Sequence, residues 1–114
     1  KYDILYVHVE APDEAGHNGD IWAKIKAIED FDSKVTATII KGLVERGESY
    51  RVLILPDHPT PVKRRTHTGD PVPFAMVGTG IDPDEVTVFS ENSAKAGSLR
   101  VAKGSELMRV LLAE

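Results

Sequence analysis

The sequence predicts an α/β fold, and three observations predict it. Two apolar, β-branched runs, Tyr2–Val9 and Tyr50–Leu55, flank a long stretch of helical periodicity. Strand, helix and strand at that spacing suit a right-handed parallel crossover. His17 and His58 each follow one of the two runs closely, where an open α/β sheet presents its ligands.

Tyr2–Val9 is nearly continuous in apolar residues, as a strand buried on both faces should be. Glu10–Gly19 carries Pro12, Gly16 and Gly19 among polar residues and reads as a loop holding Asp13 and His17. Asp20 is placed to cap the next element. From Ile21 to Arg46 the residues Ile21, Ile25, Ile28, Phe31, Val35, Ile39 and Leu43 recur every three or four positions, which predicts one long amphipathic helix ending at Gly47. The β-branched run Val35–Ile40 lowers its local propensity, so packing must hold that part helical. Trp22 is read as a packing residue. Tyr50–Leu55 is a second strand, stopped by Pro56. Asp57–Pro71 is a loop longer than most connections and therefore a functional candidate. Val72–Val77 reads as a third strand whose start is limited by Pro71 and Pro73, and Glu85–Phe89 as a short fourth. Ser105–Leu112 closes the chain as a helix capped by Ser105.

The 114 residues make about one domain. A formal charge of −4 has the wrong sign for a nucleic-acid or anionic-membrane binder. No apolar run approaches the roughly 20 residues of a membrane span. The absence of Cys removes disulfides, thiolate metal sites and a cysteine nucleophile, and it suits a reducing cytoplasm. Any metal here must be held by His and carboxylates. The chain begins at Lys1 and enters a strand pattern at once, which predicts a fragment.

Asp13 and His17 form Asp-x-x-x-His, a spacing that puts both side chains on one side of a helical turn, within reach of one cation. Asp57 and His58 follow the second strand directly, and His67 lies in the same long loop. Imidazole and carboxylate together suit Mn²⁺, Zn²⁺ or Fe²⁺ better than Ca²⁺ or Mg²⁺. Loop hydrogen bonds and caps are the competing reading of these five residues. Five candidate ligands exceed one tetrahedral site, so a two-metal centre is the natural extension. Lys63, Arg64 and Arg65 form the one basic run; Arg65, nearest to His67, is the candidate to clamp a phosphate.

The segments Val9–His17, Gly19–Asp32, Leu55–Pro61, Thr66–Phe74 and Gly104–Met108, in that order, resemble the archaeal-type cofactor-independent phosphoglycerate mutases of the alkaline phosphatase superfamily. The resemblance implies a three-layer α/β/α sandwich with a mostly parallel sheet, of which residues 1–114 are the C-terminal part of the metal-binding catalytic domain. It implies that Asp13, His17 and His67 ligate one metal and that Asp57 and His58 ligate another, with Mn²⁺ as the expected ion and Zn²⁺, Co²⁺ or Mg²⁺ as alternatives. The implied reaction interconverts 3-phosphoglycerate and 2-phosphoglycerate through a phosphoserine, without bisphosphoglycerate. None of Ser33, Ser49, Ser90, Ser93, Ser98 and Ser105 matches the family's nucleophile motif, so the nucleophile is expected in an N-terminal part of the same polypeptide, and the isolated segment is expected to be inactive. A small phosphorylated substrate, no nucleic acid, no membrane and a cytoplasmic location follow, and an oligomer is compatible. Related phosphotransferases such as homoserine kinase share the ligand set, and a non-catalytic metal-binding module is the reading from another class.

Overall fold

A computed structural model describes residues 2–113. The order of elements is α1 (Ala11–Asn18), α2 (Ile21–Asp30), a π-helical segment (Phe31–Thr36), α3 (Ala37–Arg46), β1 (Arg51–Ile54), β2 (Ala75–Gly78), α4 (Glu91–Ala94), a 3-10 turn (Gly104–Glu106) and α5 (Leu107–Leu112). This is an α/β chain with a two-stranded sheet. It divides into two units. One comprises the described residues through Gly42 together with Thr60–Thr68, and the other comprises Leu43–Pro59 and the described residues from Gly69 onward.

In the first unit α1 packs against α2. The segment expected to be a loop is helical because Pro12 falls in the first turn, where its missing N–H costs nothing. Gly19 then ends α1 at φ 68°, its N–H returning to the carbonyls of Ala15 and Gly16. Asp20 caps α2 as expected, its Oδ1 accepting from the Ala23 N–H at 2.9 Å. The predicted long helix is present from Ile21 to Arg46, with a π-helical stretch at Phe31–Thr36 that overlaps the start of the β-branched run. There Ser33 Oγ donates to the Glu29 carbonyl at 2.9 Å, a local bond that competes with the regular backbone ladder.

In the second unit β1 and β2 pair antiparallel, Arg51 opposite Gly78 and Ile54 opposite Ala75. Gly78 has φ 130°, and a Cβ there would stand 2.1 Å from the Tyr50 carbonyl, so only glycine lets the strands close at this end. The Arg51 guanidinium donates to the Thr79 carbonyl at 2.6 Å, to the Leu111 carbonyl at 3.0 Å and also to the Ala113 carbonyl, tying the sheet to the end of α5. Leu107 of α5 is buried. Asp84 accepts from the backbone N–H groups of Ser98 (2.8 Å) and Val86 (2.9 Å) and from Ser98 Oγ (3.2 Å).

Several expectations are corrected. Tyr2–Val9 is not a strand, and Tyr2, Leu5 and Tyr6 are exposed. A strand exists only as one member of a pair, and no described residue pairs with this run. The parallel crossover to Tyr50–Leu55 is therefore not formed, and the pair that does form is antiparallel. β2 begins at Ala75 rather than Val72, because Pro71 and Pro73 cannot donate to a ladder. Glu85–Phe89 is irregular, its Val86 N–H being taken by Asp84. A short helix at Glu91–Ala94, capped by Ser90 accepting from the Ser93 N–H, was not expected. Ser105 lies inside the 3-10 turn rather than capping α5. Trp22 is exposed, and among the described residues the buried apolar side chains are those of Ala15, Pro73 and Leu107. No described helix is long and apolar enough to cross a membrane.

Replacing Asp20 by Ala should destabilise the fold by about 1 kcal/mol in equilibrium denaturation, whereas Asp20→Asn should be nearly silent. The bonds from Ser98 and Val86 hold the Asp84 carboxyl below its ordinary value of 3.8. A group whose folded pKa is depressed contributes stability above its unfolded pKa and loses it as pH falls through the folded value. Stability measured from pH 5 downward should therefore fall more gently below about pH 3.8 in Asp84→Asn than in the parent.

Candidate metal site

Asp13 and His17 stand one turn apart on α1, the acid in the first turn, where the helix dipole favours it, and the imidazole in the last. His67 comes from the Thr60–Thr68 segment of the same unit. Its Nε2 lies 3.2 Å from Asp13 Oδ1 and 3.1 Å from His17 Nε2, and His17 Nε2 lies 3.3 Å from Asp13 Oδ2. The two imidazole rings are 4.9 Å apart at their centroids. One ligand atom from each of the three residues lies within 4.8 Å of the others.

The His17 ring is oriented from behind. Its Nδ1 lies 3.1 Å from the Arg65 carbonyl, an acceptor only, so Nδ1 is the donor there and Nε2 is the nitrogen turned toward Asp13 and His67. This is the orientation that ligates a metal through Nε2. Arg65 adopts φ 53°, a left-handed backbone uncommon for a side-chain-bearing residue, within the turn in which Arg64 and Arg65 both donate to the Pro61 carbonyl. Its side chain runs along Gly19, where a Cβ would stand 2.3 Å from Arg65 Nε. The sequence pointed to the guanidinium of Arg65; the contact seen at the cluster is made by its carbonyl.

Two imidazole nitrogens and a carboxylate facing one another at these distances suit a cation with mixed nitrogen and oxygen preference. The donor set thus fits the divalent ion that the sequence reading implied. All three side chains are partly exposed, so solvent can reach the cluster.

Asp57 and His58 lie in the other unit, just after β1. His58 Nε2 is 3.3 Å from Asp57 Oδ2, and the His58 N–H donates to Asp57 Oδ1 at 3.1 Å. The five residues thus form a triad in one unit and a pair in the other.

Sequence reading missed three residues around the triad. Thr60, buried, donates its hydroxyl to Asp13 Oδ1 at 2.6 Å. Lys24 Nζ donates to the Pro12 carbonyl at 2.7 Å and the Thr60 carbonyl at 3.3 Å. Gly16 faces Thr60 so closely that a Cβ would stand 2.3 Å from the Thr60 carbonyl oxygen. The available signal was a glycine inside a helix, which marks close packing. Beside His67, the Thr68 hydroxyl oxygen is buried with no hydrogen-bond partner among the described residues.

The family model that matches is the metalloenzyme superfamily, over residues 1–114. The chain is 52% identical over 111 residues to a 2,3-bisphosphoglycerate-independent phosphoglycerate mutase of Methanothrix thermoacetophila, covering 97% of this chain and 28% of that protein. It is 50% identical over 111 residues to the protein of the same name in Methanosarcina acetivorans, again covering 28% of it. The chain therefore spans little more than a quarter of the length of these curated relatives. Among solved structures it is similar to the PH0037 protein of Pyrococcus horikoshii, with a TM-score of 0.72 and 28% identity, covering 89% of this chain and 30% of that one.

Alanine at position 16 gains about 1 kcal/mol of helix propensity but meets the Thr60 carbonyl at 2.3 Å, a backbone atom that cannot swing aside. Overpacking of this kind costs about 1–3 kcal/mol. Gly16→Ala should therefore be net destabilising in a urea titration, and an unchanged or raised midpoint would mean that α1 and Thr60 are not in contact.

Proposed function

This chain belongs to the metalloenzyme superfamily, and from that premise we propose that it is the metal-holding part of a cofactor-independent phosphoglycerate mutase. In this reading Asp13, His17 and His67 hold one divalent ion and Asp57 and His58 hold a second, with Mn²⁺ as the native ion. The observation that carries it is the convergence of Asp13, His17 and His67 on one point, in a chain half identical to proteins of that name.

The finer architecture belongs to the same proposal. Residues 1–114 form the C-terminal part of a phosphatase-like catalytic domain, a three-layer sandwich with a mostly parallel sheet. Tyr2–Val9 takes its place as a strand where the rest of the polypeptide supplies neighbours, and its exposed apolar side chains support that. The cysteine-free composition agrees with a cytoplasmic setting.

Bound at such a centre, divalent ions stabilise charge on phosphoryl oxygens and lower the pKa of a hydroxyl nucleophile. The chain's own residues provide the geometry. The Arg65 carbonyl takes the His17 Nδ1 proton and leaves Nε2 toward the cluster, and Asp13 supplies a carboxylate beside the two imidazoles. The Arg65 guanidinium offers paired N–H donors of the kind that grip phosphate. The serines engaged in local bonds, Ser33 with Glu29, Ser90 with Ser93 and Ser98 with Asp84, serve the fold, which supports a nucleophile supplied from elsewhere in the polypeptide.

The test uses the full-length natural polypeptide that contains these residues. It should convert 3-phosphoglycerate to 2-phosphoglycerate with Mn²⁺ and no bisphosphoglycerate, and a chelator should stop it. His17→Ala, Asp57→Ala and His58→Ala should each lower turnover by more than about 100-fold, the upper range for losing a mere outer partner of a metal ligand. Near-normal turnover in any of them would remove that residue from the centre. Mn²⁺ binding without mutase activity would shift the substrate to another phosphoryl acceptor, homoserine being the first to try.

A further inference from the structure

Thr60 is held on three sides. Its carbonyl takes the Lys24 ammonium at 3.3 Å, its backbone and methyl lie against Gly16, and its hydroxyl donates to Asp13 Oδ1 at 2.6 Å. It is 4% exposed, the most buried polar residue among those described. A β-branched residue has a stiff χ1, and the Thr60 methyl would stand 2.8 Å from a Cβ at Gly16, so the packed methyl fixes where the hydroxyl points. The second torsion of an aspartate, in contrast, is broad and soft. A short bond from a rigid donor to a soft carboxylate orients the carboxylate.

We infer that Thr60 is a positioning residue whose hydroxyl sets the carboxylate plane of Asp13, so that Asp13 meets a divalent ion together with His17 and His67. The inference rests on the metal reading above. Lys24 serves the same end one step further out, because it ties the Pro12 carbonyl at the start of α1 to the Thr60 carbonyl. The first turn of α1 and the loop are thereby held to one another, and Asp13 follows Pro12 directly.

The experiment is a Mn²⁺ titration of the full-length natural polypeptide, followed by electron paramagnetic resonance of the free ion, with circular dichroism as the check on folding. Thr60→Val, which keeps the shape and deletes the donor, should weaken the affected Mn²⁺ equivalent by about 10–100-fold, the usual effect of losing an outer partner of a ligand. Thr60→Ser, which keeps the donor but loses the methyl that fixes its direction, should recover part of the affinity lost in Thr60→Val, a rescue that a purely space-filling role would not show. Asp13→Ala should lose one bound equivalent altogether. Parent-like affinity in folded Thr60→Val, with Asp13→Ala defective, overturns the positioning role and leaves the metal reading standing. Equal binding by the parent and Asp13→Ala overturns the metal reading itself, and the inference with it. If Thr60→Val does not fold, Thr60→Ala makes the same deletion without the added methyl. If neither folds while Thr60→Ser folds and binds, the hydroxyl belongs to the fold and the positioning role is overturned.

Discussion

The close approach of Thr60 to Gly16 is the constraint from which the candidate site follows. A helix that carried any side chain at position 16 would hold the loop away, since the Thr60 carbonyl oxygen already occupies the volume that a Cβ would need. Once the loop lies there, the rest is set by short covalent distances. Thr60 reaches Asp13, and the turn that begins at Pro61 brings round Arg65, whose carbonyl reaches His17. Two residues further on, His67 closes the triad. One stretch of nine residues thus supplies a donor to one ligand, an acceptor to the second, and the third ligand itself.

Geometry rather than charge is the main organiser here. The three side chains are partly exposed, and at such sites the effective dielectric is high enough that an isolated Asp–His pair is worth about 1 kcal/mol or less. What is unusual is how many of the site's degrees of freedom are removed by neutral contacts. The Arg65 carbonyl orients an imidazole, Thr60 holds a carboxylate, and Gly19 leaves room for the Arg65 side chain. The left-handed backbone of Arg65 fits this pattern, because a strained residue persists only where its surroundings over-determine it.

How much of this was legible in the sequence depends on whether the signal was periodic or pairwise. The helix Ile21–Arg46 was readable because seven apolar positions repeat its period, and the Asp13–His17 pair because four residues make one helical turn. The helix that carries the pair was misread as a loop, since Pro12 and Gly16 break helices on average. In this case Pro12 occupies the one turn that tolerates it, and Gly16 is required by a neighbour distant in sequence. Tyr2–Val9 has the composition of a strand, but strand formation is decided by the partner. Thr60 carried no signal at all, because a buried hydroxyl is recognised only by what lies opposite it.

The same distinction bears on the apolar surface that the described residues leave uncovered. Ile21, Trp22, Ile25 and Ile28 of α2 are exposed, as are Ile4, Leu5, Tyr6 and Val7 ahead of α1. Burying side chains of this size is worth about 1.5–3 kcal/mol each, so their exposure forgoes most of what usually holds a domain together. With Ala15, Pro73 and Leu107 as the buried apolar residues among those described, core packing contributes little to holding the triad. The triad depends instead on one helix, one glycine and one turn, all within a single unit. Contacts of that kind are local or nearly so, and they demand shape at a few atoms rather than a large buried area. The chemistry-bearing cluster and the apolar faces are in this sense separable: the first is specified inside the unit, whereas burial of the second needs surfaces that the described residues do not supply.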